Sequence, residues 1–235
     1  YLITCIVISG RVKRKIHKEI SKLYFTKPPI KLPNTPISNI FTVRNKHKQL
    51  LMTVFQLIQS DYKKHKKYGG NFFGIVFFTQ GFWALFQYRL AHTIFSGFRI
   101  PVLRQLLLLL FLLWQKLIEM LTGISIPASA QIGHSFYIGH FGGIILNAKT
   151  KIGNNCNISQ GVTIGISGLG EHRGVPVIGD DVYMGANAVI AGNIVVGNHV
   201  LIGACSLVNS TVPDFSVVLG VPAVIISQKG SEGYI

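Results

Sequence analysis

Ile178-Gly179-Asp180-Asp181-Val182-Tyr183-Met184-Gly185-Ala186-Asn187-Ala188-Val189-Ile190-Ala191-Gly192-Asn193-Ile194-Val195-Val196-Gly197-Asn198-His199-Val200-Leu201-Ile202 is the stretch that decides the fold. A large apolar side chain returns at 178, 184, 190, 196 and 202, and small or β-branched Val182, Ala188 and Val200 stand two positions ahead of three of these. A helix repeats its face every 3.6 residues and a strand every two, so neither singles out a sixth position. A hexad period is that of a parallel β-helix, in which each hexad lays one short strand on a flat face. The apolar residue points inward, and the Gly or Asn that follows takes the corner.

The same step extends in both directions. Upstream it runs through Ile126, Ile132 and Ile138, slips by two residues, and resumes at Leu146, Ile152, Ile158 and Ile164; downstream it reaches Val208. Small or β-branched residues again precede many of these positions, among them Ala130, Thr150, Cys156, Val162 and Ser206. Between Ile164 and Ile178 the chain makes a longer excursion containing Gly168, Gly170 and Gly174, which reads as a mobile loop closing over a site.

Charge divides the 235 residues into unlike halves. Residues 1–123 carry 19 Lys and Arg against Glu19, Asp61 and Glu119, whereas residues 124–235 carry 4 against 5 acids. The repeat region is therefore nearly neutral and is not expected to bind nucleic acid. Residues 1–51 hold 11 basic residues and one acid around a Pro-rich middle, Lys27-Pro28-Pro29-Ile30-Lys31-Leu32-Pro33-Asn34-Thr35-Pro36. They read as disordered or as an extension ahead of a natural start at Met52, with a basic tail docking on anionic lipid or nucleic acid as the rival. Residues 52–123 are expected to be α-helical, 124–225 to form the β-helix, and 226–235 a C-terminal tail. The whole is mostly β, with a helical segment in front.

No segment reads as a membrane span. Leu106 to Trp114 is apolar for only nine residues, against about 20 needed to cross a bilayer. Residues 68–88 carry no charge and read as a buried helical hairpin. The rival is peripheral contact with the inner membrane surface through these aromatics and Lys63-Lys64-His65-Lys66-Lys67. Cys5, Cys156 and Cys205 have no metal-ligand spacing, and an odd, sparse set suits a reducing cytoplasm.

Several stretches resemble the serine acetyltransferase family. They are Ile132-Gly133 through Phe136-Tyr137-Ile138-Gly139-His140, Asn157-Ile158-Ser159-Gln160-Gly161-Val162-Thr163-Ile164-Gly165, Ile178 through Ala186, and Val218-Leu219-Gly220-Val221-Pro222-Ala223. Upstream, Phe82-x-Ala84-Leu85-x-x-Tyr88-Arg89-Leu90-x-His92 resembles the helical segment that precedes the β-helix in that family. The resemblance implies a left-handed β-helix, although β-strand crossovers are ordinarily right-handed. It also implies acetyl-CoA as donor without a metal, and a homotrimer or dimer of trimers with sites between subunits.

By the same resemblance His140 matches the family's general base. The role suits it chemically, since a hydroxyl attacking a thioester must lose its proton and a neutral imidazole is poised to take it near pH 7. Gly165, Gly185, Ala186 and Ala204 match positions where small residues let the donor's pantetheine approach the backbone. Three departures stand out. The carboxylate that orients the histidine in the family falls on Ser125 here, the acid before the histidine falls on Gly139, and the Arg-His pair that grips an amino-acid carboxylate falls on Gly174-Val175. His172 and Arg173 offer similar chemistry two positions away; either Ser125 with a water orients His140, or a carboxylate of the helical part does, with Asp61 the outside candidate for that or for holding an acceptor's charge.

A zwitterion such as L-serine needs a cation for its carboxylate and an anion for its ammonium. A saccharide hydroxyl needs neither, and Ile138-Gly139-His140-Phe141-Gly142-Gly143 resembles the family branch found with polysaccharide biosynthesis. The acceptor expected is therefore a sugar, with L-serine second. Two rivals remain at this stage. One is a zinc-dependent β-helix using His134, His140 and His199, and the other is a non-catalytic hexapeptide scaffold.

Overall fold

The computed structural model describes residues 52–97, 100–170 and 173–235, so the basic extension over 1–51 and His172 lie outside the described residues. Among the described residues, four helices precede the strands: α1 (Val54–Lys67), α2 (Phe72–Phe78), α3 (Gln80–Gly97) and α4 (Pro101–Thr122). Fifteen short strands are described after them, from β1 (Ile124–Ser125) to β15 (Ala223–Ser227). They stack into three sheets with orders β1-β4-β7-β10-β13, β2-β5-β8-β11 and β3-β6-β9-β12-β14-β15. These are the first, second and third faces of a left-handed parallel β-helix.

Strand register accounts for each irregularity of the repeat. Where hexads run unbroken, Ile178 lies beside Val196 and Met184 beside Ile202, eighteen residues per coil. Across the two-residue slip, Ile132 lies beside Ile152 and Ile138 beside Ile158, twenty per coil. Across the excursion, Ile152 lies beside Ile178 and Ile158 beside Met184, twenty-six per coil. The extra residues are extruded at the edges, so the inward stack is unbroken and Ile138, Ile158, Met184 and Ile202 are all fully buried.

The second-to-third edge shows why Gly and Asx recur there. Asn155, Asp181 and His199 adopt positive φ, and each donates its N–H to the preceding coil, to the carbonyls of His134, Asn154 and Asp180. The Asn154, Asp180, Asn198 and Asp214 side chains stack beside them, each accepting a backbone N–H from the coil before, at 2.6–3.1 Å. A Cβ on Gly153 or Gly179 would collide with this ladder.

A β-helix leaves the backbone groups of its first coil open, and an open edge invites aggregation. Here α1 and α3 close it with side chains. Tyr88 Oη donates to the Ala130 carbonyl (2.8 Å) and accepts from the Ile132 N–H (3.2 Å). Arg89 donates to the Ile132 and Gly133 carbonyls (2.8 and 2.6 Å), and His92 Nδ1–H to that of Ala128 (2.8 Å). From α1, Ser60 Oγ and Asp61 Oδ1 accept the N–H groups of Ser135 and Phe136. A capping box between Thr53 and Gln56 starts α1. Buried Lys64, whose amine burial brings down to about 8, bonds Asn155 at its other end.

The closeness of this cap rests on Gly81. A Cβ there would run into the Ile138 carbonyl and come within 2.7 Å of the Ile138 side chain. Alanine favours a helix over glycine by up to about 1 kcal/mol, but backbone overlap of this kind costs about 1–3 kcal/mol. Gly81→Ala is therefore expected to destabilise, and a thermal melt with a Tm at or above wild type would contradict the close packing.

At the far end β15 turns back antiparallel on β14 (Val217–Gly220) and covers that edge. The last strand thus runs to Ser227, two residues beyond the boundary expected at 225. Cys156 is fully buried within the coil stack, where burial pushes its thiol up to about 12, so it packs rather than reacts.

Two expectations about the helices are corrected. Residues 68–88 are not a wholly buried hairpin, because only Ile75 of α2 is buried while Phe72, Phe73, Phe77 and Phe78 are exposed. The helix also outlasts the apolar run that ends at Trp114. Gln115 and Lys116 continue the helix, giving α4 22 residues, long and apolar enough by length and composition to cross a membrane. Almost none of it is buried in the single chain. Its inner face packs through Gln115 and Ile118, and Gly123 in the left-handed conformation turns its end directly into β1.

Burial leaves a pH signature on the cap. His65 and His92 are both held below the ordinary imidazole value of 6.5, chiefly by desolvation. The unfolded chain takes up protons near 6.5 that the folded chain still refuses, so stability is expected to fall as the pH drops below that value. A melt at pH 7.5 and at 5.5 checks this, and His65→Gln should flatten part of the difference.

Candidate active site

His140 stands in the turn between β3 (Tyr137–Ile138) and β4 (Ile144–Leu146), on the third-to-first edge. The two-residue slip is absorbed in this turn, where Gly142 and Gly143 take positive φ. The Gly142 N–H donates to the Thr122 carbonyl at 2.8 Å, tying the turn to the end of α4. His140 is exposed, and among the described residues it makes no hydrogen bond or ion pair. Gly139 beside it is half-buried, and a Cβ there would meet the Tyr137 ring at 3.1 Å.

The same edge carries three of the four small positions matched to the donor. Backbone bonds climb it from coil to coil: Gly161 N–H to the Gly142 carbonyl, Asn187 N–H to that of Gln160, and Cys205 N–H to that of Ala186, at 2.8–2.9 Å. Gly185 and Ala186 follow β9 (Tyr183–Met184), and Ala204 follows β12 (Leu201–Ile202). A Cβ on Gly185 would sit 2.7 Å from the Ala204 nitrogen, so these two coils touch backbone to backbone.

The remaining positions lie elsewhere. Gly165 ends β7 (Thr163–Gly165) on the first face, paired with Ala191, and opens the excursion at the first-to-second edge. There Ser167 and Gly174 pair antiparallel and make the loop a short hairpin, with Arg173 exposed beside its tip. The loop and His140 thus leave different edges of one subunit. His134 contacts Ser135 Oγ, and His199 stacks on Phe215 and faces Asp181 at 3.7 Å. Among the described residues no three His, Cys, Asp or Glu side chains gather as a metal site.

Asp61 requires a correction. It is 1% exposed and forms a bidentate pair with Arg89 (2.8 and 3.1 Å), while Oδ1 also accepts the Phe136 N–H. Burial would push the Arg89 guanidinium down, but the Asp61 carboxylate more than offsets it and keeps it charged. A carboxylate so engaged is not open to an imidazole or an ammonium, because ionic pairing under burial closes it off.

Ser125 does meet a carboxylate, one not singled out from sequence. Its hydroxyl donates to Glu119 Oε1 at 2.7 Å. Glu119 also accepts from Gln115 Nε2 (2.8 Å) and Lys116 Nζ (2.6 Å). Burial would raise its carboxyl, but these three donors outweigh it and hold the group below the ordinary carboxylate range. The available signal was that Glu119 is the only acid between Asp61 and Glu171.

Residues 176–210 match the family model "Bacterial transferase hexapeptide (six repeats)". The chain is 34% identical over 162 residues to the serine acetyltransferase of Bacillus subtilis (strain 168), covering 69% of this chain and 71% of that one. The Staphylococcus xylosus serine acetyltransferase is 44% identical over 111 residues, 46% and 50% of the two chains. Among solved structures, the Neisseria gonorrhoeae serine acetyltransferase superposes with a TM-score of 0.64 at 29% identity, over 83% of this chain and 74% of that one. A serine acetyltransferase in complex with CoA gives 0.63 at 26%, over 82% and 79%. This chain belongs to the serine acetyltransferase family of hexapeptide-repeat acyltransferases, enzymes that use acetyl-CoA as co-substrate.

Proposed function

We propose that this enzyme moves the acetyl group of acetyl-CoA to a hydroxyl of a neutral saccharide, with His140 as general base. The observation that carries the acceptor assignment is the closure of Asp61 by Arg89. It removes the acid that sequence offered for an amino-acid ammonium, and Ser125 and Gly139 stand at the other two acidic positions of the family. A neutral acceptor needs only hydrogen-bonding groups and a base.

In the reaction the acceptor oxygen attacks the thioester carbonyl carbon while a neutral His140 nitrogen takes the hydroxyl proton. The C–S bond then breaks, and the imidazolium returns that proton to the departing CoA sulfur, so base and charge are restored. The donor lies along the edge of Gly185, Ala186 and Ala204, with the amides of its pantetheine arm meeting main chain. Because the excursion carrying Gly165, His172 and Arg173 leaves a different edge from His140, the working form is a homotrimer in which one subunit's loop covers its neighbour's histidine, alone or paired as a dimer of trimers.

The exposed apolar surface favours a place of work as well, the inner surface of an anionic membrane with the enzyme otherwise in the cytoplasm. Phe73 and Phe78 of α2 and Leu109, Leu110 and Leu113 of α4 are exposed, and Lys63, Lys66 and Lys67 are exposed at the end of α1. Between the helices opens an apolar groove of about 630 Å³ lined by Tyr62, Phe72, Phe82, Trp83, Trp114 and Leu117. Flotation with vesicles of phosphatidylglycerol, but not of phosphatidylcholine alone, and release by salt are expected. No flotation, with the helices buried in a larger oligomer, would replace this reading.

Release of free CoA from acetyl-CoA, with L-serine and a panel of sugars and nucleotide sugars, tests the acceptor. Turnover with a saccharide and not with serine is expected. Efficient turnover with serine would overturn the acceptor assignment. Donor binding without turnover on any acceptor would favour the scaffold reading.

A further inference from the structure

We infer that Glu119 is the positioning carboxylate of this site and acts on His140 through the Ser125 hydroxyl. The inference rests on the reading of His140 as the base. Three segments converge at the start of the β-helix: the last turns of α4, β1, and the turn 139–143. The Gly142 N–H bonds the Thr122 carbonyl, Gly123 packs against Gly142 and Gly143, and Ser125 lies opposite Ile145 in the parallel pair β1–β4. His140 is therefore two residues from the backbone contact with the helix that carries Glu119.

The other described acids stand elsewhere or are taken. Asp61 is closed by Arg89, Asp180, Asp181 and Asp214 line the second-to-third edge, and Glu232 is exposed in the C-terminal tail. Glu119 is partly buried, with an 18% exposed side chain, and its charge is held by three donors.

Chemistry gives the relay its direction. The Ser125 hydroxyl spends its single proton on Glu119, so toward any other group it can only accept. A ring N–H of His140 turned toward Ser125 would donate to an oxygen polarised by the carboxylate behind it. Holding one ring nitrogen as the donor leaves the other unprotonated and facing the acceptor hydroxyl. The exposed imidazole carries no hydrogen bond that would oppose that turn.

The test uses the full chain with ¹⁵N-labelled histidine. The His140 signals are assigned by their loss in His140→Ala, and the ring tautomer is read from the nitrogen shifts in wild type, Glu119→Gln, Ser125→Ala and Glu119→Gln/Ser125→Asp. CoA release is measured in parallel. Wild type should hold His140 in one tautomer, while Glu119→Gln and Ser125→Ala give a mixture and lower kcat roughly 10- to 100-fold with the acetyl-CoA KM unchanged. Ser125→Asp in the Glu119→Gln background should restore the single tautomer and most of the lost kcat, since it places a carboxylate where the Ser125 hydroxyl would accept from His140. An unchanged tautomer in Glu119→Gln overturns the inference, and so does loss of activity that Ser125→Asp does not repair, which would make Glu119 a structural support of the α4–β1 junction. If His140→Ala keeps its turnover, the base assignment itself falls. If only His140→Ala is impaired, the base stands and the relay is wrong.

Discussion

His140→Ala is expected to lower acetyl transfer by about 10²- to 10⁴-fold, the usual contribution of a positioned general base. The loss should fall on kcat, with donor affinity by calorimetry within a few-fold of wild type. The reason is spatial: the proposed donor edge, at Gly185, Ala186 and Ala204, belongs to coils above the histidine, and His140 makes no hydrogen bond to them. Since His140 is exposed in its turn, its truncation leaves no cavity and the Tm should be unchanged. Turnover retained within threefold would show that some other group accepts the proton. A large drop in Tm would show that the residue supports the turn 139–143 rather than the reaction.

Asp61→Ala is expected to be the most damaging single change to the fold, costing about 3–5 kcal/mol, because it strands the Arg89 guanidinium in a buried site. Net stabilities are about 5–15 kcal/mol, so the variant would be marginal at physiological temperature. The expected cost is large because the pair does more than attract. Arg89 also holds the Ile132 and Gly133 carbonyls, and Asp61 also accepts the Phe136 N–H, so losing Asp61 strands the guanidinium and leaves that N–H of the first coil without its acceptor. Urea melts would measure the loss. Asp61→Ala with Arg89→Met should be less destabilised than Asp61→Ala alone, since the unpaired charge goes with it. If Asp61→Ala instead raised the acceptor KM and left stability within 1 kcal/mol, Asp61 would be a substrate ligand after all and the case for a neutral acceptor would weaken.

The two experiments bear on each other. A site with His140 essential and Asp61 purely structural is one that activates a hydroxyl without gripping a zwitterion. That combination would support the proposed saccharide acceptor within a family whose named relatives are serine acetyltransferases.

The hexad period by itself determined the coil. The spacing of Ile178, Met184, Ile190, Val196 and Ile202 says which side chains point inward, and the slip before Leu146 and the excursion before Ile178 say where coils lengthen to twenty and twenty-six residues. Such information survives in sequence because every coil repeats the same local solution: an inward apolar residue, a tight edge, and the next strand in register. The Tyr88-Arg89-x-x-His92 segment was visible as a resemblance, but its physical job was not. Only the tertiary structure showed those side chains answering the open backbone of the first coil.

What sequence could not supply were the partners of isolated charges. Asp61 and Glu119 are both single acids on helices, and nothing in their neighbourhoods tells them apart. One pairs with Arg89 and the N–H of Phe136, 75 residues away; the other meets a serine six residues on, across the turn from α4 into β1. Likewise α2 has the composition of a buried segment, and its exposed phenylalanines are seen only once α1 and α3 have taken the coil end. Repetition writes the β-helix into the chain many times over, whereas each charge pair is specified once, by a geometry that exists only after the helices have packed on the first coil.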